Sequence, residues 1–243
     1  MIVRDAGDAW QVVFQIDHAD LSGALARAWR DGGTRKESLV VAAARHDDGW
    51  AVWERAPMAD DEGRPINFLD VQIPAHLAFY RACIAAVTDD DPYAGLLVSM
   101  HGAGIYRQRY GLDPALGLSR APEFEEAVEA FVAEQEGGFE RRAEAVGVGK
   151  DERRRDYELL QIYDRLSLYF CMRDVEAGEG AELQGYRLGP VRPWHVRMDP
   201  FPFAEEARFT LLRRLLPKRK WTTAELRRAL AEQPEAVEIT IAP

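Results

Sequence analysis

The sequence predicts a mainly α-helical protein, a helical bundle with a small antiparallel β-sheet built from the N- and C-terminal segments. Apolar residues recur with helical spacing over about residues 15–175, whereas β-branched and aromatic residues cluster at about 1–15 and 180–243. The sequence contains no internal repeat and no low-complexity linker. We therefore expect a single domain, residues 1–243, in which the terminal strands pack on a helical core.

The first predicted elements are a strand and a helix. Residues 9–16, AWQVVFQI, are rich in β-forming residues, and residues 1–4 could pair with them. The helix that begins near Asp17 carries His18 on its apolar face.

The next predicted helix, about residues 38–48, is apolar nearly all round and should therefore be central. We expect it to end at Gly49, because glycine readily adopts the left-handed conformation that terminates a helix. The residues just before this glycine include His46 and Asp47. Burying an imidazole and a carboxylate together costs free energy unless they are hydrogen-bonded, paired or bound to a metal.

Two further helices each carry an inward-facing histidine. Residues 55–73 are rich in proline, glycine and charges, which predicts a loop that could cover a site. Pro74 favours the start of a helix with His76 on its apolar face. The helix that follows places His101 on its apolar face, and we expect Gly102 and Gly104 to end it just past this histidine.

The second half of the chain changes from helical to strand-like patterns. Residues 122–146 predict an amphipathic helical hairpin, and a long helix over about 151–174 places Asp164 within an apolar stripe. After Gly178 the pattern indicates strands with proline-rich turns. Thr222 and Glu225 have the spacing of a capping box at the start of a short helix.

Composition limits the classes of partner. The 41 acidic and 31 basic residues leave a net charge of −10, which argues against nucleic-acid binding. Two cysteines are too few for a disulfide framework, and no segment approaches the length of a membrane span. We expect a soluble cytoplasmic protein that acts on a small molecule, with no nucleic-acid or membrane partner.

Four of the five histidines and two aspartates fall on the apolar faces of separate helices. A single inward histidine is more often a hydrogen-bonded core residue than a metal ligand. Together, imidazoles and carboxylates from several helices form the donor set that binds iron, zinc or manganese in helical cores. The candidate ligands are His18, His46, Asp47, His76, His101 and Asp164.

The order His18, His46-Asp47 and then Asp164 resembles the signature of the HD-domain superfamily, all-helical metal-dependent enzymes that include many phosphohydrolases. The stretch SMHGAGIYRQRYG also resembles an uncharacterised bacterial family known only as a domain of unknown function. Single histidines at 76 and 101 resemble the dinuclear branch, which includes mixed-valence di-iron oxygenases.

The resemblance implies a division of the ligands between two ions. His18, His46 and Asp164 would hold the first metal, His76 and His101 the second, and Asp47 would bridge them. Iron is the expected metal, with manganese or zinc as alternatives.

The sequence departs from the HD-domain pattern at a position that contacts substrate in many members. Many members of the superfamily continue HDxGK, where the lysine contacts substrate, but this chain has HDDGW with Trp50 in that place. Arg107, Arg109 and Arg165 could supply the missing positive charge, since guanidinium groups bind oxyanions in a bidentate manner. Arg107 and Arg109 could equally belong to a solvated loop. Tyr106 and Tyr110 could line a pocket or simply pack that loop.

Three functions remain open from the sequence. The first is a di-iron oxygenase acting on a small polar or anionic substrate, and the second is a phosphohydrolase in which Asp47, Arg107 and Arg165 assist catalysis. The third is a non-catalytic metal-dependent sensor or binding module.

Overall fold

The computed structural model describes residues 1–112 and 122–243, and in these ranges helices alternate with two groups of strands. The helices are α1 (Gln15–Ala28), α2 (Lys36–Arg45), α3 (Ala51–Glu54), α4 (Ile73–Asp90), α5 (Pro92–Ile105), α6 (Glu125–Glu136), α7 (Phe139–Val146), α8 (Lys150–Met172) and α9 (Thr223–Leu230). The strands are β1 (Ile2–Ala6), β2 (Ala9–Val13), β3 (Ala181–Leu183), β4 (Tyr186–Arg192), β5 (His195–Asp199), β6 (Ala207–Pro217) and β7 (Glu235–Ala242).

The sheet is larger than the sequence predicted, so the prediction of a helical bundle with a small antiparallel sheet is wrong. Seven strands form one curved, mixed sheet in the order β1-β2-β6-β7-β5-β4-β3. β5 and β7 are parallel, whereas every other neighbouring pair is antiparallel. The expected pairing of residues 1–4 with the strand at residue 9 is confirmed by β1 and β2.

The prediction of a small sheet failed because the sequence pattern of strand β6 is irregular. Its sequence, ARFTLLRRLLP, does not alternate cleanly, because Arg213 occupies an inward position beside the buried Phe209 and Leu211. The charge of Arg213 is tolerated there because its guanidinium pairs with the carboxylates of Glu176 and Glu235. β6 bonds to β2 on one side and to β7 on the other, so it joins both ends of the chain into one sheet.

The helices and the inner face of the sheet share one hydrophobic core. Within it, α1 contacts α2 and α8, and α5 contacts α2, α4 and α8. A smaller apolar cluster packs α9 against the N-terminal hairpin, and the predicted capping box of Thr222 and Glu225 is confirmed at the start of α9. No described helix is long and apolar enough to cross a membrane.

Two glycines have a packing role that differs from the predicted helix-ending role. α2 ends at Arg45, and a Cβ on Gly49 would lie 2.1 Å from the carbonyl oxygen of Phe79 on α4. α5 continues past Gly102 to Ile105, and a Cβ on Gly104 would lie 2.1 Å from the hydroxyl oxygen of Tyr157 on α8. These positions therefore allow close contact between helices at the centre of the core.

Candidate metal centre

The six candidate ligands come together in the middle of the helical core, and each is at most 4% exposed. They come from α1, the end of α2, α4, α5 and α8. A cavity of about 60 Å³ lies among them. Five of the six line it, and His46 contacts the cluster through His18.

Four of these side chains direct donor atoms at one another. His18 Nε2 lies 3.1 Å from His46 Nε2 and 3.2 Å from Asp164 Oδ1, and His46 Nε2 lies 3.6 Å from the same oxygen. Asp47 Oδ2 lies 3.8 Å from His18 Nε2 and 3.7 Å from His46 Nε2. Donor atoms about 2.1 Å from a common ion are separated by about 3.0–3.5 Å, so this set fits a metal ion.

Hydrogen bonds at the Nδ1 atoms of His18 and His46 orient the two imidazole rings. His46 Nδ1 donates to the carbonyl oxygen of Ala43, which can only accept, so in the neutral ring the lone pair is on Nε2. Ser167 Oγ donates to the carbonyl oxygen of Asp164 and accepts from His18 Nδ1 at 2.7 Å. In the neutral rings both Nε2 lone pairs therefore face the carboxylates, and a proton or a metal ion would relieve the repulsion between these acceptors.

The pKa values are consistent with attraction of positive charge to this cluster. Burial lowers the pKa of His46, but the carboxylates of Asp47 and Asp164 outweigh burial and raise it to about 9. The pKa of Asp164 lies well below its ordinary value, because Arg109 and the two histidines outweigh the effect of burial. A metal ion could replace the proton that these carboxylates favour.

The other two histidines are held as neutral imidazoles. Burial lowers the pKa of His76 to about 4, and burial together with His46 holds the pKa of His101 well below its ordinary value. Two groups of three among the described residues have donor atoms close enough to hold an ion: one comprises His18, His46 and Asp47, and the other comprises His46, His101 and Asp164. The geometry therefore places His101 with two residues of the expected first-metal set, whereas the resemblance paired it with His76.

Two tyrosines contact the site. Tyr80 donates from its hydroxyl to Asp47 Oδ1 at 2.9 Å, which leaves Oδ2 directed toward the histidines. The Tyr106 hydroxyl is hydrogen-bonded to His76 Nδ1, so Tyr106 contacts a candidate ligand. Trp50, in the place of the expected lysine, is buried with its ring against His76.

The remaining predicted substrate residues separate in the structure. Arg109 lines the cavity and donates from Nη1 to Asp164 Oδ2 at 2.6 Å. Arg107 instead makes a bidentate pair with Glu129, and Tyr110 donates to Glu136. Arg165 is half-buried, and among the described residues that line the cavity none is Arg107, Tyr110 or Arg165.

Several residues of the site were missed from the sequence. Tyr80 lies one helical turn after His76, and Gln161 and Ser167 lie one turn before and after Asp164. This spacing places them on the same helix faces as the predicted ligands, so helical periodicity could have identified them.

Comparisons with known proteins give a family without an activity. The model of a family described as "Protein of unknown function (DUF3891)" matches residues 1–218. No curated protein and no solved structure matches the chain.

Proposed function

The chain belongs to the DUF3891 family, and we propose that it is a metal-dependent enzyme whose first ion is held by His18, His46, Asp47 and Asp164. The observation that carries this proposal is the set of separations, 3.1 to 3.8 Å, that join two imidazole nitrogens to each other and to two carboxylate oxygens. Burial supports it, because two buried carboxylates share one fixed positive charge, that of Arg109, and a cation offsets the remaining desolvation cost.

The proposed chemistry is that of a dinuclear oxygenase, with iron as the expected metal. The ligand order resembles the HD-domain superfamily, and His76 and His101 provide two neutral imidazoles for a second ion. The bound ions would polarise substrate oxygens and, as iron, activate dioxygen. The protein would exclude water, since Phe68, Ile105 and Leu168 form apolar walls around the cavity.

A phosphohydrolase is the second candidate, and Arg109 is the observation that favours it. Its buried guanidinium lies in the cavity and could stabilise negative charge on a phosphoryl group. In both candidates Asp47 would be a ligand of the metal site, and Tyr80 donates to its Oδ1 atom.

Metal analysis of the purified protein tests the premise that both candidates share. We expect near-stoichiometric metal in the wild-type protein and strong loss in His46→Ala. His195→Ala is the matched control, because His195 is the fifth histidine and lies on strand β5, away from the cavity. No metal in the wild type, even after reconstitution, would refute the proposal.

The chemistry is tested on metal-loaded protein. A mixed-valence di-iron signal in electron paramagnetic resonance supports the oxygenase. Hydrolysis of a generic phosphate ester with manganese, abolished in Asp47→Ala, would instead establish the phosphohydrolase. A metal-loaded protein that is inactive in both assays would contradict both enzymes and leave a metal-dependent sensor.

A further inference from the structure

Arg109 is held in the cavity by an unusual backbone turn. Gln108, Arg109 and Tyr110 have φ values of 50°, 51° and 54°, a conformation that non-glycine residues rarely adopt. Such residues are energetically unfavourable and persist where the surrounding structure holds them. Here Arg107 and Tyr110, on either side of Arg109, are fixed by their bonds to Glu129 and Glu136.

Only part of the Arg109 guanidinium is used by the protein. Nη1 donates to both Asp164 and Gln161. Within residues 1–112 and 122–243, Nε and Nη2 have no hydrogen-bond partner, although the side chain is only 5% exposed. A nearly buried guanidinium with two unpaired nitrogens at a cavity is a binding group for an oxyanion.

The walls and size of the cavity restrict the rest of the ligand. Phe68, Leu69, Ile105 and Leu168 are apolar, and Gln15 adds a polar group. A water molecule needs about 10–15 Å³ of such volume, so 60 Å³ accommodates about four to six atoms of similar size. This volume favours a short organic acid beside Arg109.

The charges in the site favour a monoanion. Asp47 and Asp164 contribute two negative charges and Arg109 contributes one positive charge. These residues alone therefore carry one excess negative charge, so each negative charge on the ligand adds repulsion. A carboxylate adds one such charge, whereas a phosphate or phosphonate dianion adds two in a nearly buried cavity, where they are poorly solvated.

We propose that the substrate of this site is a small monocarboxylate, whose carboxylate binds Nε and Nη2 of Arg109 and whose short carbon chain packs against Ile105 and Leu168. The assignment as substrate rests on the proposed metalloenzyme function, whereas binding of the anion to Arg109 does not require the metal. Arg109 is thus the residue that selects the acid group.

Calorimetric titration with propionate and methylphosphonate, which both have five non-hydrogen atoms, tests the proposal on metal-free and metal-loaded protein. We expect propionate to bind at least tenfold more tightly than methylphosphonate, and Arg109→Gln to weaken it at least tenfold. Arg153→Gln is the matched control: Arg153 is another buried, ion-paired arginine, and it lies outside the cavity lining. Leu168→Phe, which fills the apolar wall, should also weaken propionate binding even if Arg109→Gln fails to fold.

Equal binding of propionate by Arg109→Gln and wild type, or tighter binding of methylphosphonate, would overturn the proposal. The metal content of the same samples separates the two hypotheses. If the protein holds metal but does not bind propionate, the carboxylate proposal is refuted and the metalloenzyme proposal stands. If the protein binds propionate through Arg109 but takes up no metal, the metalloenzyme proposal is refuted and the proposal of a carboxylate-binding site stands.

Discussion

Replacing Ser167 with alanine should weaken metal binding by about 10- to 100-fold while leaving the fold intact. The Ser167 hydroxyl accepts from His18 Nδ1 at 2.7 Å and donates to the Asp164 carbonyl oxygen at 2.8 Å. Without it, His18 either keeps an unsatisfied buried N–H, which costs about 1–3 kcal/mol, or moves its proton to Nε2. In the second case Nε2 would donate to Asp164 Oδ1, 3.2 Å away, and the metal would have to displace that proton.

The metal binds only the tautomer with Nε2 unprotonated, so reversing the shift lowers metal affinity by about 1.4–2.8 kcal/mol, which corresponds to the predicted factor. Chelator competition with Zn²⁺ measures this affinity, and circular dichroism checks the fold. Ser99→Ala is the matched control, because Ser99 is also fully buried but bonds to Gln135 and Arg142 rather than to a candidate ligand. Unchanged affinity in Ser167→Ala, or an equal loss in Ser99→Ala, would refute the reasoning.

Three further predictions address the second ion, the packing and the helix cap. His76→Ala should halve the metal content of folded protein, and full retention would mean a mononuclear site. Gly104→Ala should lower the free energy of unfolding in urea by about 1–3 kcal/mol, because its Cβ would overlap a neighbouring side chain, whereas Gly149→Ala has open space and should not. Hydrogen bonds from Thr222 lower the pKa of Glu225 from 4.5 to about 2. This carboxylate therefore stabilises the fold above about pH 4.5 and loses that effect as the pH falls toward 2; in Glu225→Gln that part of the pH dependence should vanish, and an unchanged profile would contradict it.

Local periodicity was sufficient for the individual helices but not for the sheet. Helical spacing predicted α4 and α8 to within a few residues, because an amphipathic helix repeats its apolar face every 3.6 residues. Strand β6 escaped prediction because Arg213 interrupts the alternation, and its charge is neutralised by Glu176 and Glu235, which come from distant parts of the chain. A pattern within one segment contains no information about such partners.

Arg107 and Arg109 illustrate the same limit at the site. Their sequence context does not distinguish Arg107 from Arg109, since they are two residues apart in one polar stretch. The left-handed turn directs one to Glu129 and the other to Asp164. Nothing in the residue types predicts this turn, because non-glycine residues adopt positive φ only where tertiary contacts hold them.

The sequence by itself determined which side chains face inward, because the apolar stripe of each helix includes His18, His76, His101 or Asp164. It also determined that one helix ends in the adjacent pair His46-Asp47. Only the tertiary structure decided that His101 groups with His46 and Asp164, and that Arg109 shares their cavity. The physical reason is that periodicity sets the direction of a side chain around its own helix, whereas distances between helices depend on how side chains from remote segments pack together.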